Sequence, residues 1–145
     1  MPTIHILNGP NLNLLGTREP EIYGSDTLEA IELACRAFTD AHQTELLFAQ
    51  TNHEGQLIDW VQRAGAEADA LILNSAAYTH TSIALYDTLK AISIFKIEVH
   101  LSNPHAREEF RHRSFVSPAV DGVITGLGSD GYRLALEAIM ARLAD

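Results

Sequence analysis

The segment that decides the fold is ALILNSAAYTHTS at residues 70–82, where a run of apolar side chains gives way abruptly to small and polar ones. Its first part, residues 70–73, is almost continuously apolar rather than alternating, and residues 4–7 (IHIL) have a similar character. Such runs are typical of strands that are covered on both faces, as in a parallel sheet with helices on either side.

Further apolar or β-branched runs lie at residues 46–49, 94–101 and 123–125. Helical periodicity separates the runs, over residues 27–41, 54–66, 82–91 and 131–143. Alternating strands and helices of these lengths predict an α/β fold with about five parallel strands in a three-layer α/β/α sandwich. We expect the flavodoxin-like strand order 2-1-3-4-5.

Local patterns predict how two of the helices begin. In a capping box, the N-cap side chain and the side chain three residues later bond each other's backbone N–H groups. We predict one such box from Asp26 with Glu29 and another from Thr51 with Glu54. Cys35 lies on the apolar face of the first of these helices, which favours a buried small hydrophobe over a nucleophile.

Length and composition limit the possible classes of protein. With 145 residues, 46% of them hydrophobic, the chain suits one domain over residues 1–145 with a core of its own. A single cysteine fits a reducing, cytoplasmic compartment, and neither a signal peptide nor a membrane span is expected. The net charge of −9 disfavours nucleic acid as a partner. An anionic substrate would need local positive charge, for which the candidates are Arg18, Arg107, Arg111 and Arg113.

Ligands of open α/β sheets bind beyond the carboxyl ends of the strands, near the point between strands 1 and 3 where the strand order reverses. Three segments should bring polar side chains to that edge. They carry Asn8, Asn11, Arg18 and Tyr23 after the first strand, Asn74, Ser75 and His80 after the third, and Glu98, His100, Ser102 and Asn103 at the end of the fourth.

The first of these segments, NGPNLNLLGTREPEIYG at residues 8–24, is predicted to be a long loop without regular structure, as in many lids and binding loops. Arg18 and Tyr23 within it could be ordinary surface residues. Alternatively, the arginine could lower the pKa of the tyrosine from about 10 by roughly 1–3 units, because a guanidinium stays charged in any environment. A tyrosinate could then abstract a weakly acidic proton next to a ketone. The residues alone leave both interpretations open.

The second segment, NSAAYTHTS at residues 74–82, leaves a buried strand and enters a helix. Small residues let a ligand approach the backbone, a helix N-terminus favours an anion, and Asn74 and His80 offer donors and acceptors. Equally, Thr79, Thr81 and Ser82 could simply cap the helix.

The third segment, KIEVHLSN at residues 96–103, places Glu98 and His100 on one face of a strand, because side chains two apart point the same way. A carboxylate can orient an imidazole ring and raise its pKa, as a general acid at neutral pH requires. A charged pair in an apolar strand is costly, which favours a functional role over a structural one. The following stretch, HAREEFRHRS at residues 105–114, predicts a solvated charged turn from which at least one arginine could reach the site.

Other motifs in the sequence give weaker indications of function. GLGSDG at residues 126–131 matches a dinucleotide-binding spacing, but no second βα unit or acidic residue follows at the required distance, so a tight turn is favoured. No spacing of histidines or cysteines indicates a metal site, and none is predicted.

Taken together, NGPNLNLLGTREPEIYG, TNHEGQLIDW, NSAAYTHTSIAL, EVHLSNPHAREEFRHRS and GVITGLGSDGY resemble the type II 3-dehydroquinate dehydratase family over nearly the whole chain, in unbroken order. The resemblance implies a single catalytic domain that dehydrates 3-dehydroquinate in the shikimate pathway through an enolate, without cofactor or metal. It also implies a homododecamer built from trimers.

The resemblance further implies a role for each matching residue. It implies Tyr23 as the base, activated by Arg18, and His100 as the proton donor, with Glu98 as its partner and Asn11 holding a water on the enolate oxygen. Substrate contacts are implied for Asn74, for the backbone of Leu101 and Ser102, for His80 and Arg111, and for Asp87 reaching a neighbouring subunit's site. The chain departs from the family pattern at Ser75, Ala76 and Arg113, and Arg113 is assigned no role. The alternatives to an enzyme are a flavin-binding electron carrier, against which the GPNLN loop argues, and a non-enzymatic binding module of the same fold.

Overall fold

The computed structural model describes residues 1–17, 19–23 and 26–145, with Tyr23 described by its backbone alone. It contains the predicted parallel sheet. The strands are β1 (Thr3–Asn8), β2 (Glu45–Gln50), β3 (Ala70–Asn74), β4 (Phe95–His100) and β5 (Gly122–Thr125), in the order β2-β1-β3-β4-β5. All four pairings are parallel, so the predicted fold class and strand order are confirmed.

Helices cover both faces of the sheet. They are α1 (Pro20–Tyr23), α2 (Leu28–Ala41), α3 (Glu54–Glu67), α4 (Ile83–Ala91) and α5 (Asp130–Leu143). Side chains of α2 and α5 pack with one face of the sheet and those of α3 and α4 with the other. Neighbours along a strand point to opposite faces, so Ile72 belongs to the first cluster while Leu71 and Leu73 belong to the second. Each is fully buried, and such a side chain contributes about 1.5–3 kcal/mol to the free energy of folding.

Helix starts differ from the sequence predictions. Thr27, not Asp26, is the N-cap of α2, and its hydroxyl accepts from the amide of Ala30 at 3.1 Å. Asp26 instead accepts from the hydroxyl of Ser129 at 2.6 Å. Adjacent capping residues compete for the same amides. The local sequence pattern could not show that Asp26 would instead accept a hydrogen bond from a serine distant in sequence.

The second predicted capping box is also wrong. His53 is the N-cap of α3, without a side-chain bond, and Thr51 lies two residues earlier. The Thr51 hydroxyl accepts from the amide of His53 and bonds the side chain of Gln56. It therefore closes a local turn ahead of the helix, a habit of serine and threonine that competes with capping.

Two further expectations meet different outcomes. Cys35 is buried, as predicted, and burial raises the pKa of its thiol to about 12, which disfavours the reactive thiolate. The loop at residues 8–24, however, is not wholly irregular, because it holds a short 3-10 helix at Leu12–Leu14 as well as α1. None of the helices in the described residues has the length and apolar character needed to cross a membrane.

The chain after β1 passes very close to the chain after β3. The amide of Gly9 donates to the carbonyl of Asn74 at 2.8 Å, and a Cβ on Gly9 would stand 2.6 Å from the carbonyl oxygen of Ser75. Only glycine fits there. Directly after Ser75, Ala76 has a φ of 51°, in the left-handed region that alanine rarely adopts.

The first prediction concerns this strained alanine. We expect Ala76→Gly to raise the free energy of unfolding by up to about 1 kcal/mol, because the left-handed conformation costs a non-glycine residue roughly 1–2 kcal/mol and glycine's extra freedom offsets only part of that. Denaturant titration measures the change. The control is Ala77→Gly at the neighbouring alanine, whose φ is negative, and it should lower stability. Equal destabilisation by both substitutions would contradict the assignment.

A second prediction concerns acid stability. His5 on β1 is 3% exposed, and burial lowers its pKa below 6.5, with a smaller lowering from Arg63 and an opposing effect of Glu67. The folded state therefore binds a proton less readily than the unfolded state. The contribution of neutral His5 to the free energy of unfolding is fully present above about pH 6.5. It is lost as the pH falls through that value towards the folded-state pKa.

We expect His5→Gln to reduce the loss of unfolding free energy between pH 7.5 and pH 5. Urea titrations at several pH values measure this difference in pH dependence. The two proteins can be compared if their m values are equal. An unchanged pH slope would exclude His5 as a source of acid sensitivity.

Candidate active site

A cleft lies at the carboxyl edge of the sheet, where the sequence predicted that ligands would bind. It encloses about 570 Å³ of empty space, part of it open to solvent. Its lining comes from the three predicted segments together with the arginine-bearing stretch that follows β4. The lining residues are Pro10, Asn11, Leu12, Asn74, Ala76, Ala77, His80, His100, Leu101, Ser102, Pro104, Arg107 and Arg111.

The most deeply buried titratable pair at the cleft is Glu98 with His100 on β4. Glu98 is completely buried and His100 is 8% exposed, and Nε2 of the histidine lies 2.5 Å from Oε2 of the glutamate. The predicted shared face of the strand is thus confirmed. With Nε2 held by the carboxylate, Nδ1 is the nitrogen that can exchange a proton with a bound molecule. The arrangement suits general acid–base catalysis.

Ser117 also supports this pair, and no sequence pattern marks it as a site residue. Its hydroxyl donates to Oε1 of Glu98 at 2.5 Å, so each carboxylate oxygen has a partner. Ser117 begins a short 3-10 helix (Ser117–Ala119) just before β5, and its amide bonds the hydroxyl of Ser114 at 2.9 Å. A buried carboxylate is tolerated only with such bonds, and here they also fix its orientation.

Asn74 ends β3 with its carboxamide in one defined orientation. Its Nδ2 donates to the hydroxyl of Tyr132 at 3.0 Å, and its Oδ1 accepts from the amide of Ala76 at 3.2 Å. Because an amide nitrogen carries two hydrogens, one N–H remains for a ligand in the cleft.

Asn11 is held at the cleft by its backbone. Its φ of 68° lies in the left-handed region, which asparagine tolerates better than most residues. The amide of Asn11 donates to Oδ1 of Asn52 at 3.0 Å, and Gln50 donates to the carbonyl of Gly9 at 3.1 Å. The first part of the 8–24 loop is thus tied to the chain that follows β2.

His80 lies in the cleft wall with its Nδ1 donating to the carbonyl of Arg113 at 2.7 Å. Burial lowers the pKa of His80 and outweighs the raising effect of the hydrogen bond to the Arg113 carbonyl, and the charge of Arg111 lowers the pKa further. The ring is therefore neutral at pH 7 and offers Nε2 as an acceptor, suited to a hydroxyl donor.

Residues 74–82 also include a helix cap, which was the alternative interpretation of this segment. Ser82 caps α4, and its hydroxyl accepts from the amide of Leu85 at 2.9 Å. The Thr79 hydroxyl bonds that of Ser75 at 2.6 Å. The segment leaves β3 and enters α4 as predicted, with a 3-10 helix at Ala76–His80 between the two.

Two arginines of the 105–114 stretch reach the cleft. The side chains of Arg107 and Arg111 are only 13% and 20% exposed, and Glu108 lies 2.6 Å from Nε of Arg111. Arg107 also donates to the hydroxyl of Ser102 at 3.3 Å. The predicted solvated turn contains two 3-10 helices, Pro104–Ala106 and Glu109–Arg111. Arg113 is exposed, lies over the ring of Phe115 and is absent from the cleft lining.

Besides Glu98, which is fully buried and bonds His100, three predicted site residues are not placed in the cleft. Arg18 lies outside the described residues, as does the side chain of Tyr23, so their predicted contact stays a prediction. Asp87 is exposed on α4 and is not among the residues that line the cleft. The described residues contain no group of three or more histidines, cysteines or acidic residues arranged to hold a metal ion.

Comparison with known proteins agrees with the sequence resemblance. Residues 2–140 match the family model described as dehydroquinase class II. A protein named 3-dehydroquinate dehydratase from Bacillus licheniformis is 57% identical over 140 residues, 97% of each chain. One of the same name from Caulobacter sp. is 57% identical over 135 residues, 93% of this chain and 92% of its own.

Solved structures give the same result. The crystal structure of the type II dehydroquinase from Butyrivibrio crossotus superimposes with a TM-score of 0.92 at 42% identity, covering 94% of this chain and 96% of that one. A match of this extent in sequence and fold, together with the cleft, leaves no ambiguity of family. The chain belongs to the class II dehydroquinase family.

Proposed function

We propose that the protein is a 3-dehydroquinate dehydratase, which converts 3-dehydroquinate reversibly to 3-dehydroshikimate in the shikimate pathway without a cofactor or metal. The observation that carries the proposal is the buried Glu98–His100 pair facing a cleft that also holds Arg107 and Arg111. The pair supplies a proton donor for a leaving hydroxyl, and the arginines supply positive charge for an anionic substrate in a chain of net charge −9.

The reaction begins with removal of a proton from the carbon next to the ketone. Tyr23 is the base, and Arg18 stabilises its ionised form. The resulting enolate is stabilised by a water that Asn11 helps to hold. His100, held by Glu98, then protonates the departing hydroxyl group as the new double bond forms. The placement of Asn11 and His100 in one cleft supports this division of roles.

Substrate binding uses the polar groups of the cleft wall. The carboxylate of the substrate binds the remaining N–H of Asn74 and the backbone of Leu101 and Ser102, all in the cleft lining. His80 accepts from a substrate hydroxyl through Nε2, and Arg111 contacts a substrate oxygen. The neutral state of His80 supports its role as an acceptor.

The proposal extends to assembly and location. Residues 1–145 form one catalytic domain, and copies associate as trimers that build a dodecamer in the cytoplasm. Asp87 then reaches the site of a neighbouring subunit. Its exposed position on α4, outside its own cleft, supports this arrangement.

The proposed function is tested by the ultraviolet absorbance of the conjugated product formed from 3-dehydroquinate, with no metal or nucleotide added. We expect the wild-type protein to be active. Tyr23→Phe should bind substrate but lose turnover by about 10²–10⁴-fold, the contribution that a general base typically makes. Arg18→Ala should lower kcat while leaving the melting temperature within a few degrees. An inactive wild-type protein would favour the non-enzymatic binding module, and an active Tyr23→Phe variant would exclude the assigned base.

A further prediction concerns the support of the acid. We expect Ser117→Ala to lower kcat about tenfold with little change in KM, because a hydrogen bond to a charged group contributes about 1.5–3 kcal/mol to holding Glu98 in place. Ser117→Thr, which keeps the hydroxyl, should recover much of the activity. The matched control is Thr3→Val, which removes a hydroxyl bonded to Glu45 at the opposite edge of the sheet and should leave kcat unchanged. Equal kcat in Ser117→Ala and wild type would remove Ser117 from the mechanism.

A further inference from the structure

A chain of buried hydrogen bonds lies behind the cleft and ends at Asn74. It starts at the carbonyl of Ala49 on β2, which accepts from Nδ2 of Asn8 at 3.0 Å. Oδ1 of Asn8 accepts from the hydroxyl of Tyr132 at 2.6 Å, and that hydroxyl accepts from Nδ2 of Asn74 at 3.0 Å. Tyr132 lies near the start of α5 and is 1% exposed, and it does not line the cleft.

The direction of every bond in this chain is fixed. The Ala49 carbonyl can only accept, so it orients the amide of Asn8 with Oδ1 towards Tyr132. The phenol of Tyr132 has one proton, and it donates that proton in the hydrogen bond to Oδ1 of Asn8. The phenolic oxygen is then left as an acceptor, which requires the nitrogen end of the Asn74 carboxamide to face it.

A reversed Asn74 would be opposed at both ends. Its NH₂ group would meet the backbone N–H of Ala76, which is a donor, and its oxygen would meet a phenol whose proton is already donated. A buried polar group that loses its partner costs about 1–3 kcal/mol. The chain therefore holds Asn74 with its second N–H available to the cleft.

We propose that Tyr132 is a positioning residue for substrate binding, which acts through Asn74 by fixing its carboxamide as a donor towards an anionic oxygen. The proposal rests on the proposed function, in which that oxygen belongs to the substrate carboxylate. Asn8 has a positioning role of the same kind, because its Oδ1 accepts the hydrogen bond from the phenol of Tyr132 and so leaves the phenolic oxygen as an acceptor for Asn74. Burial keeps the phenol protonated, since it raises the pKa of Tyr132, so the direction of the chain does not change over the working pH range.

The test is Tyr132→Phe, which removes one oxygen atom and keeps the ring. We expect KM for 3-dehydroquinate to rise about tenfold, the factor that corresponds to about 1.4 kcal/mol, with kcat changed by less than about threefold. Asn8→Ala should raise KM in the same way, because the released phenol proton can then turn towards Asn74. This second variant keeps the test available if Tyr132→Phe folds poorly.

A double-mutant cycle separates positioning from general destabilisation. In an Asn74→Ala background, Tyr132→Phe should change KM by less than about twofold, because the residue through which it acts is gone. Thr39→Val controls for loss of stability, since it removes a buried hydroxyl near the end of α2, which leads to the start of β2 at the edge of the sheet opposite the cleft, and should leave KM unchanged. An active wild type with unchanged KM in Tyr132→Phe, or equal effects in both backgrounds, overturns this proposal alone. An inactive wild type overturns the proposed function as well.

Discussion

The parallel pairing of β1 with β3 is the constraint on which the rest of the molecule depends. It places Asn8 opposite Asn74 in the register, at the point where the strand order reverses. The chain after β1 can follow the chain after β3 only because residue 9 has no side chain to meet Ser75. From this contact, segments far apart in sequence form a single cleft, as open α/β sheets provide at such a point. Any change that separates the two strands would dismantle the site and the core together.

Several of the polar side chains at this edge of the sheet are buried, and they are stabilised there by hydrogen bonds within the protein rather than by contact with solvent. Among the described residues, no buried side-chain nitrogen or oxygen lacks a partner. Glu98 is completely buried, yet both of its oxygens are bonded, and Asn74 is held at both ends of its carboxamide. Groups held in this way do not have to reorganise when a ligand arrives, which is the main electrostatic contribution of an enzyme site.

The sequence predicted those features that follow from periodicity and could not predict those that depend on distant contacts. Continuous apolar runs fixed the parallel sheet, and a spacing of two residues placed Glu98 and His100 on one face. Ser117 is 19 residues from Glu98 and Tyr132 is 58 from Asn74, and no local pattern marks either as a partner. The capping error at Asp26 has the same origin, because its partner Ser129 is distant in sequence, whereas Thr51 bonds neighbours only two and five residues away.

The two halves of the proposed chemistry are supported differently by the fold. The proposed acid, His100, lies on an interior strand and is held through a carboxylate and a serine, so its position is set by the sheet itself. The proposed base, Tyr23, ends the four-residue helix α1, which lies outside the sheet. The wall of the cleft that carries the proposed acid is thus built on buried residues of the sheet, whereas the proposed base is carried by the segment after β1.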